Sequence, residues 1–152
     1  MPIHPGKDAT VTIGSATVVG MGTWSMGGVS VAELDSSSFL DQWKQYLFGI
    51  KDGGTVTFGG HLNMADTTGQ QILVAANVKN SAIATLRFYM DSVSYFAPNQ
   101  TTDYFAPGAM STGMGTPGLC SVNITTIAVG EDKSGLGTVS FTARINGCFS
   151  LV

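Results

Sequence analysis

Two histidines, His4 and His61, are the first residues to weigh for metal or acid–base chemistry, because imidazole titrates near neutral pH and ligates metals. Neither has a second histidine or a cysteine at the spacing a zinc site requires. The carboxylates Asp35, Asp52, Asp66, Asp103, Glu131 and Asp132 stand mostly singly at turns, where turn and cap hydrogen bonds account for them. Asp66 is placed to cap a helix starting near Thr67. Nothing marks a glycosidase pair. A Ser-His-Asp site would have to be assembled from distant positions, since no Gly-x-Ser-x-Gly word is present. Gly20-Met-Gly and Gly113-Met-Gly lack the strand–loop–helix setting of a phosphate cradle. Cys120 and Cys148 fall in expected strands and read as buried thiols, with a disulfide open only if those strands are neighbours. The residues therefore point to no catalytic site, no metal and no cofactor.

The elements that would carry such residues are mainly strands. Residues 1–9, broken by Pro2, Pro5 and Gly6, read as a flexible arm, and residues 10–152 as a single β domain with long loops over about 20–54 and 95–118. Thr10–Val19 alternates as a strand or short hairpin turning at Gly14 and Ser15. Thr55–Leu62 places Val56 and Phe58 on one face and Thr55 and Thr57 on the other. Thr85–Val93 does the same with Leu86, Phe88 and Met90. Cys120–Val129 and Gly137–Phe149 are the last strands, with Val139, Phe141, Ala143 and Ile145 facing one way and a turn at Glu131–Gly135 between the two.

Helical signals are few. Thr67 to Gln70 reads as a capping box opening a helix over 68–78, with Ile72, Leu73 and Ala76 as its apolar stripe. Between Ser36 and Phe48, the residues Phe39, Leu40, Trp43 and Leu47 fall at helical spacing, with serines before them and Gly49 after, which predicts a second short amphipathic helix. The expected class is mainly β: an antiparallel β-sandwich or partial barrel with one or two short flanking helices.

Composition sharpens this. Charged residues are only 11% of the 152, against about 25% in ordinary soluble domains. A surface so poor in charge is expected to be covered by copies of the chain or by partners. The net charge of −3 and seven scattered Lys and Arg argue against a nucleic-acid-binding face. No apolar run reaches membrane-spanning length, and the first eight residues hold no apolar stretch of signal-peptide type, so the expected compartment is the cytoplasm. The seven methionines, four of them in glycine-rich stretches (Met21, Met26, Met110, Met114), suit adaptable apolar contacts.

Glu33-Leu-Asp-Ser-Ser-Ser-Phe, Trp43 and Gly49-Ile-Lys-Asp-Gly-Gly-Thr-Val-Thr-Phe-Gly-Gly resemble the stretch before and through the central strand of major tail tube proteins of long-tailed, siphovirus-type bacteriophages. Asn63-Met-Ala-Asp-Thr-Thr-Gly-Gln-Gln-Ile-Leu resembles their helix and its cap, and Asp132-Lys-Ser-Gly-Leu-Gly-Thr-Val-Ser-Phe-Thr-Ala-Arg their closing turn and strand. The resemblance covers most of residues 10–150. It implies a phage tail tube fold, with the stretch around 36–48 lying in a long loop between strands. It further implies a homo-oligomer of stacked hexameric rings, whose sheets join into a barrel around a hollow channel. DNA would pass through that lumen without sequence-specific binding. The implied partners are a tape-measure protein, a tail terminator and baseplate proteins, with no membrane insertion. The implied location is the virion tail, assembled in the host cytoplasm.

On this reading the chain is the major tail tube subunit, a structural virion protein that does no chemistry. Its expected ring-stacking contacts are Phe39, Leu40, Trp43, Tyr46 and Leu47, with Tyr104 and Phe105 second. The rivals are another tail ring component (terminator or baseplate hub), a carbohydrate-binding β-sandwich with Trp24 and Tyr104 as platform, or a small hydrolase with a spatially assembled site.

Overall fold

The computed structural model describes residues 6–98, 120–147 and 149–151. After a one-turn 3-10 helix (Gly6–Asp8), the elements are β1 (Thr10–Ile13), β2 (Ala16–Thr17), β3 (Met21–Met26), β4 (Ser30–Asp35), β5 (Tyr46–Asp52) and β6 (Thr55–His61). Helix α1 (Gln70–Lys79) follows, then β7 (Ala82–Ile83), β8 (Leu86–Tyr89), β9 (Tyr95–Pro98), β10 (Ser121–Gly130), β11 (Thr138–Asn146) and β12 (Phe149–Leu151).

Period-two alternation decides which way each strand faces. In β11, Val139, Phe141, Ala143 and Ile145 are buried, while the residues between them are exposed or half-buried. Val56 and Phe58 of β6 and Leu86 and Phe88 of β8 are buried in the same way, as their sequence pattern requires. One five-stranded sheet runs β12-β9-β8-β1-β2, and a second runs β3-β6-β11-β10-β7. Every pairing in them is antiparallel. The two sheets meet through aromatic rings. Phe88 of the first sits 5.3 Å from Phe58 and 5.5 Å from Trp24 of the second, and Phe58 stacks on Phe141 at 5.3 Å. The result is a sandwich whose sheets do not close into a barrel among the described residues.

Helix α1 covers one flank of this core with Leu73 and Ala76. Its Asn77 side-chain amide donates to the Ile124 carbonyl at 2.9 Å, beside the irregularity in β10 between Ile124 and Thr126. The helix stops at Asn80, which takes the left-handed conformation (φ 53) that asparagine tolerates, and Ser81 N–H closes on Ala76 O at 2.9 Å.

Five expectations need correction. The Thr67–Gln70 capping box does not form. Asp66 caps instead, accepting Gln70 N–H at 3.1 Å and Val19 N–H at 2.9 Å. Gln70 turns inward, its amide donating to Val19 O at 2.6 Å and His61 O at 2.8 Å and its carbonyl accepting Asn63 N–H at 2.9 Å. In the expected stripe, Ile72 is exposed where Leu73 and Ala76 are buried. The helix expected between Ser36 and Phe48 is absent: β4 and β5 form a hairpin joined by an irregular tip. Serine and aspartate side chains claim the backbone amides that a helix would have used. Asp35 accepts Ser37 N–H at 2.9 Å, Asp41 accepts Ser38 N–H at 2.7 Å, and Ser37 Oγ accepts Gln45 N–H at 2.7 Å. By the same token, residues 20–54 are not one long loop, since β3, β4 and β5 occupy most of the stretch. Within 95–118, residues 95–98 form β9 between β8 and β12; the remainder lies outside the described residues.

Candidate inter-subunit surface

The β4–β5 hairpin is inserted between β3 and β6, and glycine builds its root. Gly28 and Gly54 both take positive φ (80° and 81°), and a Cβ on Gly54 would overlap the Gly28 carbonyl oxygen. Gly27 N–H donates to Thr55 O at 2.6 Å, Asp52 accepts Gly54 N–H at 2.9 Å, and Gly54 O accepts Ile145 N–H at 3.0 Å. These bonds tie the root to the central strands of the sandwich. Beyond the root, β4 and β5 pair only with each other among the described residues, with Leu34 opposite Leu47, Glu33 opposite Phe48 and Asp35 opposite Tyr46.

Residues 32–49 are exposed without exception. Leu40 is 94% exposed, Trp43 84%, Leu47 61% and Tyr46 45%, and Phe39 is fully so. These are the five residues expected to carry ring contacts, and the structure brings them together on one arm. Tyr104 and Phe105 lie outside the described residues. Sequence reasoning missed Leu34 and Phe48, both exposed on the same hairpin. Their signal was available: once the stretch is read as a strand, Leu47 and Phe48 are adjacent apolar residues on opposite faces. The arm therefore carries apolar side chains on both faces. Leu34 and Leu47 occupy one face, Tyr46 and Phe48 the other, with Glu33 and Asp35 beside those of the second. A clustered apolar surface of this kind makes the arm the candidate interaction site.

The outer face of the second sheet is its opposite in character. Thr126, Thr142, Thr57 and Ser25 lie in register as a row of hydroxyls across β10, β11, β6 and β3. Ala128, Ser140, Gly59 and Thr23 form the next row. Arg144, further along β11, is ion-paired with Asp52.

The groups that could do chemistry are engaged elsewhere or stand apart. Asp66, Asp91, Asp132, Asp52, Asp41 and Asp35 each accept backbone N–H groups at turns or at the helix cap. Hydrogen bonds from Ser37 hold the Asp35 carboxyl below its ordinary value of 3.8. His61 is exposed at the end of β6. Among the described residues no three of His, Cys, Asp and Glu cluster as a metal site, and no helix is long and apolar enough to cross a membrane. Cys120 is buried, as expected; Cys148, Asp103 and the second glycine pair lie outside the described residues. Trp24 is no binding platform. It is half-buried between the sheets, 6.3 Å from Phe96, and donates its indole N–H to Tyr89 O at 3.2 Å.

No family profile and no curated protein matches the sequence. Solved structures do match the fold. A chain in the virion of a native gene transfer agent particle superposes with a TM-score of 0.64 at 15% identity, over 99% of both chains. A chain in the tail of an empty gene transfer agent particle, refined helically with C6 symmetry, gives 0.63 at 16% identity, again over 99% of both. A chain of the anti-feeding prophage cap, which terminates that tube, gives 0.53 at 10% identity over 100% of this chain and 92% of its own. The architecture is a β-rich tail-tube fold. At these identities the likeness establishes the fold alone. The arm and the hydroxyl face have to be argued from their own chemistry.

Proposed function

We propose that the chain is a structural virion protein, the major tail tube subunit of a siphovirus-type phage, which stacks as hexameric rings into a hollow tube conducting DNA into the host. The observation that carries this reading is the arm. An apolar hairpin exposed on both faces, on a fold shared with a C6-symmetric tail, is an element built to be covered by neighbouring copies.

Magnitudes support assembly by whole rings. Covering one large apolar side chain contributes about 1.5–3 kcal/mol, so Phe39, Leu40, Trp43 and Leu47 together offer roughly 6–12 kcal/mol. Association costs about 4–15 kcal/mol, so one arm between two free chains is marginal. Six arms engaged at once raise the effective concentration of each contact, and the stack becomes stable. The strands β3 and β7 end the second sheet without a further partner among the described residues, and offer edges for lateral pairing within a ring.

The hydroxyl face is the candidate channel wall. Threonine, serine and glycine give phosphate no fixed cation to grip, and the paired Arg144 is already balanced by Asp52. On this reading a tape-measure protein first occupies the lumen, and terminator and baseplate proteins cap the ends. The chain performs no catalysis.

Negative-stain microscopy of the purified protein at rising concentration is the test. Hollow tubes of varying length support the major-subunit reading. The likeness to a tube-terminating cap favours a second reading, a terminator ring, and single rings that never stack would favour it instead. A monodisperse monomer at high concentration contradicts both.

A further inference from the structure

An open cleft of about 330 Å³ lies where the two sheets splay beside β3, lined by Ala9, Thr10, Val11, Met21, Trp24 and Met90 among others. Its walls are two thioethers, an indole and small aliphatic groups with two threonines among them, a mostly apolar surface that adapts to an aromatic side chain. Its volume is near the lower end of the roughly 300–1,000 Å³ of ligand pockets, room for a ring side chain and an immediate neighbour and too little for a helix.

Its place on the fold matters as much as its lining. Strand β3 runs from Met21 to Met26, and the cleft flanks the Met21 half. The hairpin arm leaves past the Met26 end, through Gly27 and Gly28. Apolar knob and apolar hole thus sit toward opposite ends of one strand. Two different surfaces that complement each other make a head-to-tail contact, which extends along an axis when the rotation between copies does not close into a ring. The chain does not fill its own cleft with its own tip, because Trp43 is 84% exposed.

We propose that this cleft is the seat for the hairpin tip of a second copy, with Trp43 as the inserted side chain. The inference rests on the stacking reading and names the receptor that reading requires. Met21 and Met90 accommodate the indole, with Thr10 also at the cleft wall. Phe39 and Leu40 close over the rim.

The test places a photoreactive phenylalanine analogue at position 43 of the full chain, in an equal mixture of ¹⁵N-labelled and unlabelled protein, and maps the cross-links after irradiation. Cross-links between chains to peptides carrying Met21–Trp24 or Met90 support the seat. Met90→Glu, with its thermal unfolding checked against the parent, is expected to lower that yield about ten-fold. An unchanged yield in a folded Met90→Glu chain overturns the seat. Cross-links between chains that land elsewhere also overturn it, while the stacking reading stands. Cross-links within one chain to its own cleft overturn it too. A chain that stays monomeric with no cross-link between copies removes both the seat and the stacking reading.

Discussion

The hairpin arm and the sandwich body use the same residue types to opposite ends. In the body, Phe58, Phe88 and Phe141 are buried, with rings 5.3 Å apart in two of the three pairs and the two sheets held between them. In the arm, Phe39, Leu40, Trp43 and Leu47 touch no core of their own and stand in solvent. The body is held by packing across layers; beyond its root the arm is held by its own ladder and by serine and aspartate bonds at its tip. An aromatic residue therefore reports folding in one region and, on the proposed reading, assembly in the other. Composition alone cannot separate the two uses.

Several substitutions would break that contrast or sharpen it. Phe58→Ala removes a ring from the centre of the body and is expected to cost about 3–5 kcal/mol in denaturant unfolding, whereas Phe39→Ala should stay within about 0.5 kcal/mol of the parent. Equal losses at both sites would show that the arm packs on the body after all. Gln70→Ala strands the carbonyls of Val19 and His61 and the amide of Asn63, and is expected to lower stability by about 1–3 kcal/mol. A neutral result would mean that water replaces those bonds.

Trp43→Asp should leave the unfolding midpoint within about 0.5 kcal/mol of the parent and yet abolish tube growth by electron microscopy. Tubes that still form would remove Trp43 from the contact. The smallest effect belongs to Asp35. Accepting Ser37 N–H depresses its folded-state pKa, so its support of the hairpin tip is complete above its ordinary 3.8 and fades as the pH falls from there through the lowered value. The Ser37 amide resonance should follow that titration and lose it in Asp35→Asn.

The body was legible in the sequence because each strand has one dry face. Alternation in β6, β8 and β11 reports burial directly, and the glycine at 14 marks a turn that its positive φ confirms. Asp66 was legible as a cap because carboxylates favour that place. Gln70 was not legible as a buried clamp, since glutamine three residues after threonine carries the same pattern as a capping box. The arm was misread for a physical reason. Helical spacing normally reports a helix packed on its own core, but Phe39, Leu40, Trp43 and Leu47 have no core to pack on within the chain. The exposed apolar residues of the arm were legible in type, while the hairpin that carries them was not. Strand β9 was hidden because Pro98 closes a word that reads as loop, although proline is admitted at a strand end.

Hydroxyl-radical footprinting of side chains across a dilution series tests the central claim most directly, since it reads both regions in one sample. The account predicts that Trp43 and Phe39 react strongly in dilute protein and become severalfold less reactive as concentration rises. Phe58 should stay protected throughout. Trp43 reactivity that does not change at any concentration would contradict it.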